Sequence, residues 1–595
     1  MCGIFGCVGK IDYDMATMCV EEIHHRGPDS MEIHQMKGIT LGHTRLSILD
    51  MSDAANQPMS DITGRFWIVY NGEVYNYLEL RMELETLGYH FKTNSDTEVI
   101  LYAYIAWGEE FQYKCNGMWA LAIWDSYCRN LFLSRDRFGV KPLYYFIQDG
   151  NFYFASEMKA FFPIMHERKI NYSVFAIKDY LSFESTENCS IRGIKKVLAG
   201  HCGYIEEKNI RFHKWWEPLE HIIDVPEKYE EQVEMLRSLF LNACKIRMRS
   251  DVPIGTALSG GVDSSAVIGA MSYCSSRCEK YINKDWQHAF VACMQGTSID
   301  ETIHAQKAAE YVGLDINKVM VNAKISAEKL FEYMYICEDP YITSPIPFFQ
   351  TYGSIANSGI KVTLDGHGAD ELFGGYSFDL IYSSMEYDAD NDEKREIWRT
   401  FNEMIFPESR VTYDKFQNML SNCAGSHKDV YAKDKPLGML NSRLYRQTYE
   451  LTLPTLLRCY DRYSMGKGVE IRMPFMDYRI VCFAFSIPWR SKIYKGYSKR
   501  IVRDMSAAFM DKDIVYRKLK IGFNSPLTEW FQGEMKEFVL DSVYSKDFYE
   551  CELINPLHAR IIVDNFYSSD KSSFGDGQAV WRELMPYLWK KAMKL

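Results

Sequence analysis

The second residue of the chain is a cysteine, followed by Gly3-Ile4-Phe5-Gly6. Removing Met1, which a small second residue permits, leaves a thiol beside a free α-amine of pKa about 7.7–8.0. Such a nucleophile carries its own general base, and cysteine is well suited to acyl transfer. Acyl transfer also needs oxyanion donors. Asn71-Gly72 offers a side-chain amide and a backbone N–H, although the same dipeptide is the commonest two-residue hairpin turn. An amino-acid substrate needs a cation for its α-carboxylate and an anion for its α-ammonium. Arg45 in Thr44-Arg45-Leu46-Ser47-Ile48 and Asp96 in Ser95-Asp96-Thr97-Glu98 carry those charges, and surface ion pairs would use the same residues.

A second chemistry starts at Leu258-Ser259-Gly260-Gly261-Val262-Asp263-Ser264-Ser265, between an apolar stretch and a helical one. Glycines let the backbone approach a ligand, and a helix N-terminus presents free N–H groups to phosphate. Asp263 is an oxygen ligand of the kind Mg²⁺ prefers. A Ser/Gly turn with a helix cap is the plainer reading. The loop lacks the lysine of a Walker A sequence, which disfavours an ordinary P-loop NTPase.

Two kinds of element must position these groups. Over the first two hundred residues, short alternating stretches read as strands: Arg65–Tyr70, Trp119–Trp124, Leu131–Ser134 and Phe152–Ala155, with Asn71-Gly72 as a turn signal. Helices are predicted at Tyr77–Thr86 and around Thr97–Ala106. The pattern lapses between about Glu206 and Tyr229, around Trp215-Trp216, which places domains at 1–210 and 230–595. Beyond it, helices at Glu230–Arg249 and Ala266–Tyr273 alternate with apolar runs at Ile254–Leu258, Ala289–Met294 and Val362–Leu364. That alternation is the signature of a parallel α/β sheet. Tyr382–Leu451 reads as a charged helical cover.

The composition fits a soluble globular chain: 595 residues, 47% hydrophobic, 25% charged. A net charge of −11 argues against a nucleic-acid or anionic-membrane footprint. No apolar run reaches membrane-span length and no leader opens the chain. These features predict a cytoplasmic protein whose 16 cysteines stay reduced. Cys274 and Cys278 lie four apart with no second pair nearby, so they read as plain thiols rather than zinc ligands.

Met1-Cys2-Gly3-Ile4, His25-Arg26-Gly27-Pro28-Asp29, Arg45-Leu46-Ser47-Ile48, Tyr70-Asn71-Gly72-Glu73, Ser95–Glu98 and Arg135–Leu143 occur in that order. Together they resemble a class II glutamine amidotransferase of the four-layer αββα N-terminal-nucleophile fold. The resemblance implies that Cys2 attacks glutamine and that Asn71 and Gly72 form the oxyanion hole. It implies further that Arg45, Leu46, Ile48, Glu73 and Asp96 surround the substrate. The Ser259–Ser265 loop resembles that of N-type ATP pyrophosphatases. Supporting it are Ser298–Glu301, Asp365–Tyr376, Leu457–Met465 with Glu470–Asp477, and Lys518–Phe523. The whole chain is similar to the glutamine-hydrolysing asparagine synthetase family, whose second domain is a Rossmann-like parallel sheet.

For the second domain the resemblance implies that Leu258, Ser259, Gly260, Gly261, Asp263, Ser264, Asp365 and Gly366 hold ATP. Asp263 and Asp370 would hold Mg²⁺, and Glu371, Asp461, Arg462 and Lys520 would face the acceptor or its adenylate. Arg458 is a further cationic candidate. Ammonia from Cys2 would cross a tunnel to a carboxylate activated on ATP, in a homodimer. The match breaks at Asp365-Gly366-His367-Gly368, where the family reads Ser-Gly-Glu-Gly. A neutral His367 can take a proton but presents no carboxylate to an amino acid's ammonium. Either Asp365 and His367 exchange roles and aspartate stays the acceptor, or the acceptor is another carboxylate, such as a sugar acid, a cell-wall precursor or a natural-product intermediate. A glutaminase with a merely nucleotide-binding second domain is the reading from another class.

Overall fold

In a computed structural model the described residues are 2–176, 180–206, 209–277, 282–424, 429–432, 435–569 and 571–595. Met1 and Cys278 lie outside them. Period-two alternation builds the first domain. In strand Gly117–Asp125, Trp119, Leu121 and Ile123 join one apolar core, while Ala120, Ala122 and Trp124 join another. Strand Gly3–Val8 likewise sends Ile4 one way and Phe5 and Cys7 the other.

Two six-stranded antiparallel sheets result. One runs Lys195–Lys196, Tyr144–Gln148, Asn151–Ala155, Gly3–Val8, Ile39–Arg45, Ser30–Met36; the other runs Asn209–Lys214, His201–Glu206, Asn130–Arg135, Gly117–Asp125, Phe66–Val74, Met59–Ser60. They face each other across a core holding Ile4, Leu41, Val69, Leu133 and Phe154. Tyr13–Glu21 covers one outer face, and Tyr77–Thr86 with Asp96–Trp107 covers the other. The layers are αββα, as the resemblance implies. The second sheet extends past residue 210, because its edge strand is Asn209–Lys214.

The second domain is a parallel five-stranded sheet in the order Ile316–Met320, His288–Cys293, Ile254–Ala257, Val362–Leu364, Glu470–Arg472. From Ile254–Ala257 the chain first adds strands on one side, then returns to add two on the other. The carboxyl ends of Ile254–Ala257 and Val362–Leu364 therefore flank a topological switch point, where open α/β sheets bind ligands. The region expected to be helical holds Ser377–Ser384, Asn391–Met404, Tyr413–Ala424 and Met439–Tyr449, with a small hairpin between the last two. No described helix is long and apolar enough to cross a membrane.

The domains share a buried charged core. Helix Thr452–Met465 points Arg458, Asp461 and Arg462 at the first domain. Asp461 pairs with Arg26 at 2.9 Å and Lys141 at 3.1 Å. Arg462 pairs with Glu157 at 3.0 Å and Glu338 at 2.8 Å, and Arg458 with Glu184 at 2.6 Å. Trp215 and Trp216 are buried in a first-domain apolar cluster, with Trp216 edge-on to Tyr478 of the second domain.

Candidate active sites

Cys2 stands at the head of the central strand Gly3–Val8, 8% exposed. Its neighbours immobilise it: Gly3 N–H donates to Thr44 Oγ1 at 3.0 Å and Ile4 N–H to Ser156 Oγ at 3.0 Å. Arg26 Nε donates to the Cys2 carbonyl at 3.1 Å. Burial pushes the thiol pKa up, opposed by the Leu46 N–H and the charge of Arg45. Deprotonation therefore has to be driven locally, which a free α-amine would do.

Asn71-Gly72 is not a hairpin turn. It lies inside strand Phe66–Val74, opposite Ala120 and Trp119. Turn propensity loses here to a nine-residue ladder, and Gly72 serves close approach instead: a Cβ there would lie 2.2 Å from the Met118 carbonyl. Asn71 Oδ1 accepts the Cys2 N–H at 3.3 Å, while its buried Nδ2 has no hydrogen-bond partner among the described residues. An orphaned buried donor costs about 1–3 kcal/mol. Such a group beside a nucleophile is what an oxyanion hole requires.

Arg45 is buried and held by the carbonyls of Leu49, Ser52 and Asp50 and by Asn56 Oδ1. Those acceptors fix the guanidinium without neutralising it, and no described carboxylate pairs with it. Asp96 accepts the Tyr70 hydroxyl at 2.8 Å and the Val74 N–H at 3.0 Å; burial raises its pKa to about 6. Glu73 lies 3.3 Å from Arg472 of the second domain. Leu46 and Ile48 pack into the second domain's core, and the Ile48 carbonyl accepts the Asp251 N–H at 3.0 Å.

The other site is a cavity of about 320 Å³ at the switch point. Helix Val262–Ser275 aims its N-terminus into it behind Ser259-Gly260-Gly261. Gly260 has φ +73°, and a Cβ there would lie 2.3 Å from the Ala305 nitrogen. The adjoining loop abuts this one, since a Cβ on Gly366 would reach within 2.6 Å of the Asp263 carbonyl carbon. Lys499 Nζ bridges Asp263 and Asp370 at 2.7 Å each, and Lys520 Nζ reaches Asp370 at 2.7 Å. Arg503 and Arg517 line the same space, Arg517 paired with Glu301 at 2.6 Å.

Glu371 lines the cavity under the Tyr376 hydroxyl, which donates to it at 2.5 Å. Asp365 borders the cavity with both oxygens engaged, by the Ala257 N–H at 3.0 Å and the Tyr352 hydroxyl at 2.9 Å. It splints the two central strands rather than adding a free charge to the site. His367 packs edge-on to Tyr460, centroids 3.9 Å apart. Burial lowers its pKa to about 4, and its Nδ1 has no hydrogen-bond partner among the described residues.

Asp461 and Arg462, expected beside the acceptor or its adenylate, and Arg458, a candidate cation for the phosphates, do not line this cavity; their charges are spent in the interdomain core. One helix presents two faces, and its motif does not tell which face meets which domain. Lys499, Arg503 and Arg517 were missed. The basic run Lys495–Arg503 was the available signal.

A glutamine amidotransferase domain family matches residues 1–216, and the asparagine synthase family matches residues 235–591. The chain belongs to the asparagine synthase family. It is 27% identical over 634 residues to asparagine synthetase [glutamine-hydrolyzing] 1 of Bacillus subtilis, covering 99% of this chain and 96% of that one. It is 33% identical over 417 residues to a putative asparagine synthetase [glutamine-hydrolyzing] 2 of Methanocaldococcus jannaschii (65% and 78%). It is 30% identical over 378 residues to amidase chry2 of Gibberella zeae (60% and 54%). An amidotransferase domain joined to this synthase domain makes a glutamine-dependent, ATP-consuming ligase.

Proposed function

We propose that this enzyme hydrolyses glutamine at Cys2 and uses the ammonia to amidate a carboxylate activated on ATP in the switch-point cavity. The observation that carries this is the convergence there of the Ser259–Ser264 loop, Lys499, Lys520 and two carboxylates.

In the first half, the Cys2 thiolate attacks the glutamine side-chain carbonyl. Asn71 Nδ2 and the Gly72 N–H take the oxyanion, ammonia leaves, and water releases glutamate. Arg45 and Asp96 hold the two ends of the amino acid. In the second half, an acceptor carboxylate oxygen attacks the α-phosphorus of ATP and the bond to pyrophosphate breaks. The loop and helix N-terminus hold the phosphates with Lys499, Arg503 and Arg517, and Phe290, Val291, Met294 and Ile299 offer an apolar wall for the base. Ammonia then attacks the acyl carbon, AMP departs, and neutral His367 accepts the nitrogen's surplus proton at Nδ1.

Asp263 and Asp370 converge on the Lys499 ammonium, and Asp370 also meets that of Lys520; carboxylate oxygens that gather cations in this way suit a hard cation. Mg²⁺ held there would neutralise phosphate charge. Among the described residues thirteen cysteines, Cys2, Cys7 and Cys19 included, are free thiols, which supports a reducing, cytoplasmic location.

The test is pyrophosphate release measured with glutamine, with ammonium and with neither. Cys2→Ala should abolish glutamine use and keep ammonium use; loss of both would count against separate sites. Asp263→Ala should stop pyrophosphate release. Glutamine hydrolysis with no acceptor-dependent pyrophosphate would favour the glutaminase reading instead.

A further inference from the structure

A second cavity, of about 400 Å³, adjoins the first. Both are lined by Tyr376, Met404 and Lys520, so the two spaces meet along these three residues. A space this size falls within the range of a ligand site in its own right, about 300–1,000 Å³. Phe378, Ile405 and Phe406 give it an apolar wall, Phe378 with 53% of its surface exposed. Arg443, Gln447 and Thr452, from the helices covering the sheet, give it a polar end.

Two atoms at that end lack partners. Among the described residues, the buried Nε of Arg443 makes no hydrogen bond, and neither does the buried Oε1 of Gln447. Gln447 is 1% exposed, with its amide nitrogen committed to Asp379 Oδ1 at 2.7 Å, so Oε1 is its open end. The Arg443 guanidinium sits over the Tyr382 ring at 5.4 Å, and no described carboxylate lies at ion-pair distance from it. Asp379, the acidic group beside it, is already bound to the Tyr376 N–H at 2.9 Å and to Gln447. A cation without a paired anion, at the end of an apolar groove that opens on the reacting site, is complementary to an oxyanion carried by the substrate.

We propose that this groove is the acceptor subsite: the carboxylate presented at Lys520 belongs to a molecule longer than a four-carbon amino acid, with an apolar middle lying along Phe378 and Phe406 and a distal oxyanion bound by Arg443. This rests on the amidoligase reading above. It also gives the change at His367 a reason. Such an acceptor has no α-ammonium beside the reacting carboxyl, so no carboxylate is needed there.

The probes are α,ω-dicarboxylic acids of four to eight carbons, monocarboxylic acids of the same lengths, ω-phosphono acids and L-aspartate. Turnover is read as pyrophosphate release and binding by calorimetry on the full-length enzyme. The longer diacids or phosphono acids should exceed the matching monoacids by about tenfold or more in kcat/KM. Arg443→Gln should collapse that ratio towards one, chiefly through KM, and Arg443→Lys should restore part of it. Whether carboxylate or phosphonate gains more identifies the distal group. Thermal melting reports whether each variant folds. Aspartate turnover with no Arg443-dependent preference overturns the groove assignment and leaves the ligase reading intact. Arg443-dependent binding of the diacids without any pyrophosphate supports the groove and counts against the ligase reading. Neither binding nor preference overturns the groove whatever else turns over.

Discussion

The Arg472 guanidinium lies 3.3 Å from the Glu73 carboxylate in the other domain, while the Arg472 carbonyl accepts the Asp365 N–H at 3.0 Å. Glu73 follows the oxyanion dipeptide, and Asp365 opens the loop that carries His367. A single residue of edge strand Glu470–Arg472 thus touches the backbone or side chains of both sites. Its side chain is fully buried and also holds Glu470 at 2.5 Å and the Arg247 carbonyl at 2.9 Å.

That link predicts coupling. Arg472→Gln should remove the cation that faces Glu73 across the boundary and loosen the wall between the sites. The measurement is glutamate formed per pyrophosphate released. It should rise above the wild-type ratio as ammonia escapes, and an unchanged ratio would remove Arg472 from the link.

The unpartnered Asn71 Nδ2 predicts a loss confined to the chemical step. Asn71→Ala should lower kcat for glutamine hydrolysis by about 10²–10³ while ammonium-supported pyrophosphate release continues. A purely structural Asn71 would instead lower both activities and the melting temperature together.

Asp96 predicts a pH dependence of its own. Its carboxyl titrates at about 6 because burial disfavours the charge. Only the ionised form attracts an ammonium, so glutamine KM should fall as pH rises from about 5 to 7 and level off above. Asp96→Asn should bind glutamine weakly with no inflection there; an inflection that survives in the variant assigns it elsewhere.

Asp461 predicts acid lability at the domain boundary. It is buried, yet Arg26 and Lys141 hold its pKa down at about 2, below the ordinary 3.9 or so. A depressed carboxylate contributes stability fully above the unfolded pKa and loses it as pH falls through the folded one. The boundary should therefore weaken between about pH 4 and 2. At neutral pH, Asp461→Asn takes the partner from buried Lys141 and leaves Arg26 to Glu157 at 2.6 Å, and breaking such a buried pair costs on the order of 3–5 kcal/mol. Denaturant unfolding checks both; a neutral substitution, or a variant with the same acid transition, would remove Asp461 from the boundary's stability.

The local elements and the motif chemistry were legible in the residue order. Helix Tyr77–Thr86 and strand Val362–Leu364 have the expected ends, because hydrophobic periodicity and turn residues act over a few neighbours. Cys2 and the Ser259–Ser264 loop were equally legible, because each chemistry sits in consecutive residues. The remainder depends on contacts between segments distant in the chain. Asn71-Gly72 is a strand interior because Gly117–Asp125 pairs along its whole length. Asp461 and Arg462 became interdomain ion pairs because helix Thr452–Met465 turns that face towards Arg26 and Glu157. Lys499 entered the site from over a hundred residues beyond Asp370. The groove ending at Arg443 exists only where four helices and the Lys520 segment meet, a space no local pattern encodes.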